Sequence, residues 1–492
     1  MRNLLARMSS RHIILPALAA TGFLYILIYL LFSTPASYVH KHSNPAAFDS
    51  DTGEFLDAKT LLRKKSSKGR EKETLLPKNG HGIWVEGRDI EIMSAIHDLH
   101  HQNTSETRIV LPSFLRHSSN RNFLCCFQAS PASLDYVQIK ANLDFIDLRF
   151  VVDLQNAAFE CVLNTTAEKS KRLHKLVFFA AETCDQNISS PLKIIYPELR
   201  SFEFAVCTKV AYLRLEPHRL LEWFIFMQLI GASKVLTFHN NLDADSLRVF
   251  EYYVRTGFLE LVEYRPRSKI GGPDVKFTET NGQTRQARQD KTLVVRDCQY
   301  RLGGYNFVMT IDFDELPVPI RPFASVNWIV QNLLMNHSDA SAFRMDPILL
   351  PPEWSNPKPG LYHWQFTSGT HIEPYCRKWI YFPKRTWLAA THESIPKEGY
   401  KTYTMPESVL HFLHFRTCKP DWLDVGCDNL TLSIKNERVL DRFSGTMLQK
   451  LRKMPLEDLI PDKRYVEQIR KPPRNQAEAR KTSDDSIESI LN

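Results

Sequence analysis

Between Ala205 and Ile311, short apolar runs alternate with helical patterns, and this alternation constrains the fold of the chain most strongly. Four of the runs have the length and composition of buried strands: Ala205–Leu213, Lys234–His239, Phe258–Tyr264 and Phe307–Ile311. Strands that alternate with helices pair in parallel and form a sheet that is covered on both faces. The sequence therefore predicts an α/β fold, in which ligands bind beyond the carboxyl ends of the strands.

Proline, glycine and aspartate delimit the helices between these strands. The segment Pro217–Ile230 is a predicted helix, with proline in its first turn and glycine just past its end. Asp243 or Asp245 can cap a second helix, which Gly257 ends. A third helical pattern covers about Ala287–Leu302.

The N-terminal region contains one long apolar segment. Ile13–Phe32 carries no charge, and its twenty residues match the ~20 that a helix needs to cross the hydrocarbon core of a bilayer. Arg2, Arg7 and Arg11 precede it, which favours a cytosolic N-terminus and a lumenal remainder. A cleavable signal peptide is the alternative, but its apolar core is usually about 7–15 residues long. We therefore expect a cytosolic tail (residues 1–12) and an uncleaved transmembrane signal anchor (residues 13–32).

Composition divides the rest of the chain. Residues 33–80 are polar and indicate a flexible stem. Residues 81–200 contain short apolar runs typical of a smaller β-rich region, and residues 201–455 hold the alternating pattern of the predicted α/β domain. Residues 456–492 are predicted to be a polar C-terminal tail. The excess of 63 basic over 55 acidic residues is mild, so we expect no nucleic-acid partner.

Sequons and cysteines agree with a lumenal location. Five N-x-Ser/Thr sequons are expected glycosylation sites: Asn103, Asn164, Asn187, Asn336 and Asn429. The nine cysteines include no zinc-type C-x-x-C pair, so we expect several disulfides in an oxidising lumen. Cys418 and Cys427 are close enough in sequence to pair. The odd total leaves one thiol free or intermolecular.

The fourth predicted strand ends abruptly in Asp312-Phe313-Asp314-Glu315. Residues two apart in an extended segment face the same side, so Asp312 and Asp314 are expected to present two carboxylates together at the ligand edge. Such oxygens suit Mg²⁺ or Mn²⁺, and a metal that bridges a diphosphate acts as a Lewis acid in nucleotide-sugar transfer. A surface turn is the alternative, because Pro317 and Pro319 follow. The strand context favours a metal that Asp314 contacts directly, with Asp312 on the ribose or on a metal-bound water.

Further motifs flank this segment. They are Leu221-Glu222-Trp223-Phe224, Leu229-Ile230-Gly231-Ala232, Phe238-His239-Asn240-Asn241, Asp297-Cys298-Gln299-Tyr300-Arg301, Arg377-Lys378-Trp379-Ile380-Tyr381-Phe382-Pro383 and His414-Phe415-Arg416, with weaker similarity at Ser94–Asp98. Together they resemble the pattern of glycosyltransferase family 92, from about Ile83 to Leu451. Phe415 replaces the usual tyrosine, and the loop after Asn240 lacks the common Ser-Thr, so the substrate can differ from the family's usual one.

The resemblance implies a GT-A type, Rossmann-like fold, a divalent metal with Mn²⁺ as the expected ion, and inverting transfer of galactose from UDP-galactose. It makes His414 the expected third metal ligand, with His392 as the alternative and a core histidine as the structural reading. Four residues besides Asp312 are expected to contact the nucleotide-sugar: Asn240, Asp243, Lys378 and Arg416. Helix capping by Asp243 and salt bridges of Lys378 and Arg416 are the structural alternatives. The general base stays open among four carboxylates: Asp346, Glu353, Glu373 and Glu393.

These patterns predict a metal-dependent glycosyltransferase that uses a UDP-sugar and a glycan or glycoprotein acceptor. We expect a single-pass type II protein of the Golgi membrane, with a lumenal catalytic domain. A transferase with another donor sugar is one alternative. A non-catalytic lumenal glycan-binding or scaffold protein on the same fold is another, and the intact Asp312 and Asp314 argue against it.

Overall fold

The structure is a computed structural model. It describes residues 47–48, 55–56, 83–85, 90–100, 105–116, 122–128, 136–146, 154–164, 176–180, 184, 192–240, 242–264, 285–321, 325–355, 360–371, 376–417 and 435–471. Within these ranges, no helix has the length and apolar character that a membrane span requires. The predicted anchor Ile13–Phe32, most of the predicted stem and the predicted pair of Cys418 and Cys427 lie outside the described residues.

The chain divides into two compact units, Met1–Thr74 and Leu75–Asn492. In the first unit, the described residues form one antiparallel pair of strands, β1 (Ala47–Phe48) and β2 (Phe55–Leu56). All elements described below belong to the second unit.

Nine strands form the first sheet of the second unit. They are β3 (Ile83–Val85), β4 (Ile90–Ile92), β5 (Ala95–His97), β6 (Thr107–Arg116), β7 (Phe123–Gln128), β8 (Tyr136–Ile146), β9 (Leu154–Leu163), β10 (Leu176–Ala180) and β11 (Leu192–Ile195). Strand β6 pairs with β5 along one edge and with β9 along the other. The other pairings lead from β5 through β11, β10, β7 and β8 to β9. Strands β5 to β11 therefore form a ring, and we call the whole sheet the closed sheet.

Alternate residues of the closed sheet point into its core, as the period of two in a strand requires. Leu111 of β6 and Phe159 of β9 are examples that are fully buried there. The disulfide Cys125–Cys161 joins β7 to β9 within this core, and the adjacent Cys126 pairs with Cys184. These covalent links join parts of the sheet that are not neighbouring strands and so restrict the unfolded chain.

The second sheet of this unit carries the alternating sequence pattern. Its strands are β12 (Arg200–Tyr212), β13 (Lys234–Asn240), β14 (Leu259–Glu263), β15 (Tyr305–Thr310), β17 (Ala340–Met345), β20 (Lys378–Tyr381) and β23 (Lys401–Thr404). The first four run parallel in the order β14-β13-β12-β15, and β20, β17 and β23 extend the sheet beyond β15. This mixed α/β sheet confirms the predicted fold class. The strand order reverses between β12 and β15, which is where such sheets open a crevice for ligands.

Helices cover both faces of the central sheet. They are α1 (Pro217–Leu229), α2 (Ala244–Arg255), α3 (Arg285–Arg301), α4 (Val326–Asn336), α5 (Ser444–Arg452), α6 (Leu456–Leu459) and α7 (Lys463–Arg470). A hydrophobic core lies on each face of the sheet, and successive residues of β12 point into opposite cores. Val206 faces the core that contains α1 and α2, and Cys207 faces the core that contains α3. The disulfide Cys207–Cys298 fastens α3 to β12 across 91 positions of sequence.

A third sheet begins directly after the acidic segment. Its strands are β16 (Glu315–Pro319), β18 (Pro347–Leu349), β19 (Ser368–His371), β24 (Leu410–His414) and β25 (Lys435–Asn436), and a separate hairpin consists of β21 (Thr386–Ala389) and β22 (Ser394–Pro396). The spatial order is β16-β24-β18-β19-β25. Because β16 and β24 are neighbours, the acidic segment and the predicted His414 motif meet.

The folded part continues to Arg470, beyond the predicted domain end at residue 455. Tyr465, Val466 and Ile469 of α7 are buried in the same core as α5. The prediction that residues 456–492 form a polar tail is therefore wrong for residues 456–470. Three apolar residues on one face of a short helix are outnumbered in the sequence by their charged neighbours, which hides the buried face.

The closed sheet contacts the central sheet through α3. The hydroxyl of Ser94 donates to the carboxylate of Asp297, which also pairs with Arg301 one turn further along α3. Arg296 reaches Asp144 of β8. The predicted Asp-Cys-x-Tyr-Arg element thus holds the two sheets together through a buried polar network.

Candidate active site

The carboxyl ends of three parallel strands place polar residues at one edge of the central sheet. Asn240 is the last residue of β13, and Asp312 lies two positions past β15. Lys209 lies near the carboxyl end of β12. Its side chain points across the crevice where the strand order reverses. Its Nζ lies 2.8 Å from the carboxylate oxygens of Asp312. The position and the charges are those expected of a ligand site.

Lys209 has an unusual backbone conformation. Its φ is 61°, which is rare for a residue with a side chain, and the pairing of β12 with β13 is irregular between Cys207 and Val210. Its side chain is buried, with 2% exposure. Such a conformation costs about 1–3 kcal/mol and is kept where the surrounding structure enforces it, typically at functional sites. Here it directs a buried ammonium group at a carboxylate.

The acidic segment between β15 and β16 is a turn. Phe313 packs against Trp223 of α1 with 4.8 Å between ring centroids, and Trp223 Nε1 donates to the carbonyl oxygen of Glu315 at 2.9 Å. The segment is therefore not extended as the prediction assumed, although Asp312 and Asp314 interact electrostatically. The aromatic contact fixes a turn at residues 313–314, and the two carboxylates meet different partners.

Lys378, the first residue of β20, connects two carboxylates of this segment. Its Nζ lies 2.7 Å from Asp312 Oδ2 and 2.7 Å from Glu315 Oε1. The backbone N–H of Asp312 donates to Glu315 Oε2 at 2.6 Å. Lys378 and Glu315 are both buried, so these charges are satisfied by one another rather than by water.

Asp314, Glu315 and His414 form a candidate metal site. One ligand atom from each lies within 4.8 Å of the others. His414 Nε2 is 3.6 Å from Asp314 Oδ2 and 3.8 Å from Glu315 Oε1. Two carboxylates and an imidazole suit Mn²⁺ and similar divalent ions. Asp312, which was also predicted to be a ligand, lies outside this group, with its carboxylate on the two lysines.

The close contacts shift the pKa values of the charged groups. Burial would raise the pKa of Asp312, but Lys209 and Lys378 hold it well below its usual value. Burial lowers the pKa of Lys209 to about 8. Burial would also lower the pKa of Lys378, but Asp312 and Glu315 raise it above its usual value. At neutral pH, Asp312 is therefore ionised, and both lysines are predominantly charged.

Two further cations lie near this cluster. Lys291 of α3 and Arg416, two positions after β24, interact electrostatically with each other and with the acidic segment. With Lys209 and Lys378, four cations surround three carboxylates. The positive excess suits an anionic ligand such as a diphosphate.

Three other residues predicted to bind metal or nucleotide-sugar lie outside the group of Asp314, Glu315 and His414. Asn240 is buried at the end of β13. Asp243 is the N-cap of α2, where its Oδ1 accepts from the Ser246 N–H at 2.8 Å. His392 is exposed, and its Nδ1 lies 2.9 Å from the carbonyl oxygen of Arg377.

Of the predicted general bases that the structure describes, none belongs to the group of Asp314, Glu315 and His414. Asp346 lies between β17 and β18 and forms an ion pair with Arg344, with 2.9 Å between Nε and Oδ1. Glu353 is exposed in a short 3-10 helix, and Glu393 is half-buried just before β22. Glu373 lies outside the described residues. The choice among the four stays a prediction.

Two predicted glycosylation sites lie in the described ranges. Asn164 and Asn336 are exposed, as attachment of a glycan requires. Asn103, Asn187 and Asn429 lie outside the part of the chain that the structure describes.

Sequence reasoning did not single out Lys209, Glu315 or Lys291. Lys209 had a signal, because it is a lone charge in an otherwise apolar strand. Glu315 also had a signal, because it follows the acidic pair and is the first residue of a buried strand. A buried carboxylate requires a partner. Lys291 had no such signal, since it is one of many charged residues on its helix.

The two candidate histidines can be separated by metal binding. We expect His414→Gln to weaken the binding of Mn²⁺ at least about tenfold, because ligands and their supports contribute 10–100-fold each. His392→Gln is the matched control, since His392 lies outside the group of Asp314, Glu315 and His414, and should bind Mn²⁺ like the wild type. Titration followed by the electron paramagnetic resonance signal of free Mn²⁺ measures both. The reverse result would make His392 the ligand.

Comparison with known proteins gives one family match. Residues 202–459, just over half of the chain, match the model of glycosyltransferase family 92. This confirms the resemblance over a shorter range than Ile83–Leu451. No curated protein matches significantly. Two solved structures that are similar are S. aureus TarS 1–349 in complex with UDP (10% identity, 54% of this chain, 70% of that chain, TM-score 0.23) and S. aureus TarS 1–349 (9%, 54%, 71%, 0.22).

Proposed function

Because the chain belongs to glycosyltransferase family 92, we propose that it transfers a sugar from a nucleotide-sugar donor to a glycan or glycoprotein acceptor. The observation that carries the proposal is the cluster at the reversal of strand order. Four cations, an acidic segment whose Glu315 is buried, and a carboxylate–histidine group meet there. Family membership alone would leave open a protein that keeps the fold without the chemistry.

The residues of the cluster divide into two roles. Lys209, Lys378, Lys291 and Arg416 are placed to neutralise the diphosphate of the donor, whose charge increases as the bond to the sugar breaks. Asp312 fixes the two buried ammonium groups by direct contact. A divalent ion, with Mn²⁺ as the proposed one, held by Asp314, Glu315 and His414 would supply Lewis-acid stabilisation of the same leaving group.

The finer features of the activity rest on the family. We propose a GT-A type arrangement, UDP-galactose as the donor and inversion at the anomeric carbon. Asn240 and Asp243 follow the second parallel strand and are proposed to contact the nucleoside. We also propose a single-pass type II protein of the Golgi membrane, on the strength of the apolar segment Ile13–Phe32 and the arginines before it.

A donor screen tests the proposal. The full chain is incubated with a panel of UDP-sugars and mixed N-glycans, in Mn²⁺ or in EDTA, and donor hydrolysis and transfer are measured. We expect turnover of one donor, UDP-galactose, that EDTA abolishes. Turnover of another UDP-sugar would refute UDP-galactose as the donor but would still support a glycosyltransferase. Absence of both turnover and UDP binding would support the non-catalytic lumenal scaffold instead.

A further inference from the structure

A cavity of about 290 Å³ lies beside the first turn of α1. The chain enters α1 from the carboxyl end of β12, so this turn lies at the same edge of the central sheet as the acidic segment. Tyr362, in the cavity wall, interacts electrostatically with Asp314. The next residue, His363, contacts the ring of Phe415 at 4.9 Å between centroids, and Phe415 follows the candidate ligand His414. The cavity is thus a neighbour of the candidate active site and separate from its metal group.

Three rings form one wall of the cavity. His218 of α1 lies 5.6 Å from Tyr362 and 5.1 Å from Tyr465 of α7, measured between ring centroids. The Tyr465 hydroxyl donates to the buried carboxylate of Glu222 at 2.7 Å, and the Tyr362 N–H donates to the same carboxylate at 2.7 Å. These bonds fix the rings before any ligand arrives. Arg219 lies over one face of the Tyr362 ring, 3.8 Å from its centroid, so the wall as a whole is pre-formed and partly apolar, which suits contact with the C–H groups of a sugar ring.

Polar side chains form the rest of the cavity lining. They are Gln365, Asp462, Arg464 and Gln468. An amide offers a donor and an acceptor, a carboxylate accepts and a guanidinium donates, so the set matches hydroxyl groups that both donate and accept. Asp462 is held in place as the N-cap of α7, where its Oδ1 accepts from the Arg464 N–H at 3.0 Å. A few oriented polar groups beside rings are typical of small-ligand sites.

One side of the cavity is outside the shared family region. The family match ends at residue 459, whereas Asp462, Tyr465 and Gln468 belong to α7 and its cap. Binding residues are commonly carried by the surroundings of a common scaffold, so a wall that lies beyond the matched region is suited to contact an acceptor.

We propose that this cavity binds one neutral sugar ring of the acceptor glycan. The proposal rests on the proposed function, since an acceptor requires a transferase. The volume lies near the lower end of the ~300–1,000 Å³ that is usual for small-ligand pockets, which suits a single ring rather than a nucleotide. Gln468 is exposed on α7, so it can be changed with little effect on the fold.

The test measures glycan binding without donor. The full chain is applied to a printed panel of oligosaccharides with terminal hexose, N-acetylhexosamine and fucose, and the best-retained glycan is then titrated. Gln468→Ala is expected to weaken binding about tenfold, as the loss of a hydrogen-bonding group from a site built for it does. Gln468→Trp, which fills the cavity, should abolish binding. Glu467→Ala on the same helix is the control and should bind like the wild type. UDP binding should be the same in all four proteins.

Each other outcome is decisive. The proposal is overturned if Gln468→Trp binds the glycan like the wild type, if it loses UDP instead, or if the wild type retains no glycan. A third outcome is that Gln468→Trp loses glycan binding while the wild type neither binds UDP nor uses any UDP-sugar. That result would support the sugar-binding cavity and refute the proposed transferase activity. The failure of one proposal can therefore be told from the failure of the other.

Discussion

Asp314→Asn is expected to lower the rate of sugar transfer about 1,000-fold, because a metal ion contributes several kcal/mol of charge stabilisation and each 1.4 kcal/mol is a factor of ten. Asp314 is one of the three residues of the candidate metal group, and its side chain is 39% exposed. The exposed carboxylate can become an amide with little effect on folding, so the loss falls on the chemistry. The Mn²⁺ affinity should fall together with the rate.

The control for this variant is an aspartate of similar exposure away from the crevice. Asp339 is 36% exposed, pairs with Lys401 and precedes β17, whose direction places Asp339 at the opposite edge of the central sheet. Asp339→Asn should keep full activity and Mn²⁺ binding. An Asp314→Asn protein that is folded and fully active would refute the metal assignment.

Glu222→Ala is expected to lower the free energy of unfolding by about 3–5 kcal/mol, the cost of removing one partner from a buried charged network. Glu222 is fully buried and accepts from the N–H groups of Tyr362 and His363 and from the Tyr465 hydroxyl, and its Oε2 lies 3.0 Å from His363 Nδ1. Removal leaves these donors without an acceptor. The melting temperature should fall by roughly 5–10 °C.

The stabilisation by Glu222 also depends on pH. Burial would raise its pKa, but the bonds from His363, Tyr362 and Tyr465 lower it in the folded protein. A carboxylate with a lowered folded pKa stabilises above its unfolded pKa, about 4.3, and loses the contribution as the pH falls through the folded value. The difference in melting temperature between wild type and Glu222→Ala should therefore narrow in acid.

Glu457→Ala provides the comparison for this experiment. Glu457 pairs with Arg470 at the surface and is 62% exposed, and such solvent-screened pairs contribute little to stability. If the melting temperature of Glu222→Ala were no lower than that of Glu457→Ala, the hydrogen bonds to Glu222 would not contribute to the stability of the fold.

The central sheet could be predicted from the sequence because its signals lie in short, continuous stretches of residues. Strands buried on both faces appear as apolar runs, and caps such as Asp243 mark helix ends, so predicted and observed bounds differ by few residues. The acidic segment was found in the same way, since a charge directly after a buried run is visible in one stretch of sequence.

The contacts of the acidic segment were not predictable locally. Lys209 and Lys378 lie 103 and 66 positions away from Asp312 in the sequence, and only the pairing of β12, β15 and β20 brings them together. The turn at residues 313–314 includes Phe313, whose contact with Trp223 likewise arises from tertiary packing. Local patterns identify which residues are charged and extended, whereas topology decides which of them meet.

The ring of strands in the closed sheet has a consequence for how the chain assembles during synthesis. Its last partner, β11, pairs in parallel with β5, and β9 pairs with β6, so the ring is complete once residue 195 has been made. The first strand of the central sheet begins at Arg200. Chains fold from the N-terminal part first during synthesis. We therefore expect the contact of Ser94 with Asp297, 203 positions later, to form after the strands of the ring have been made.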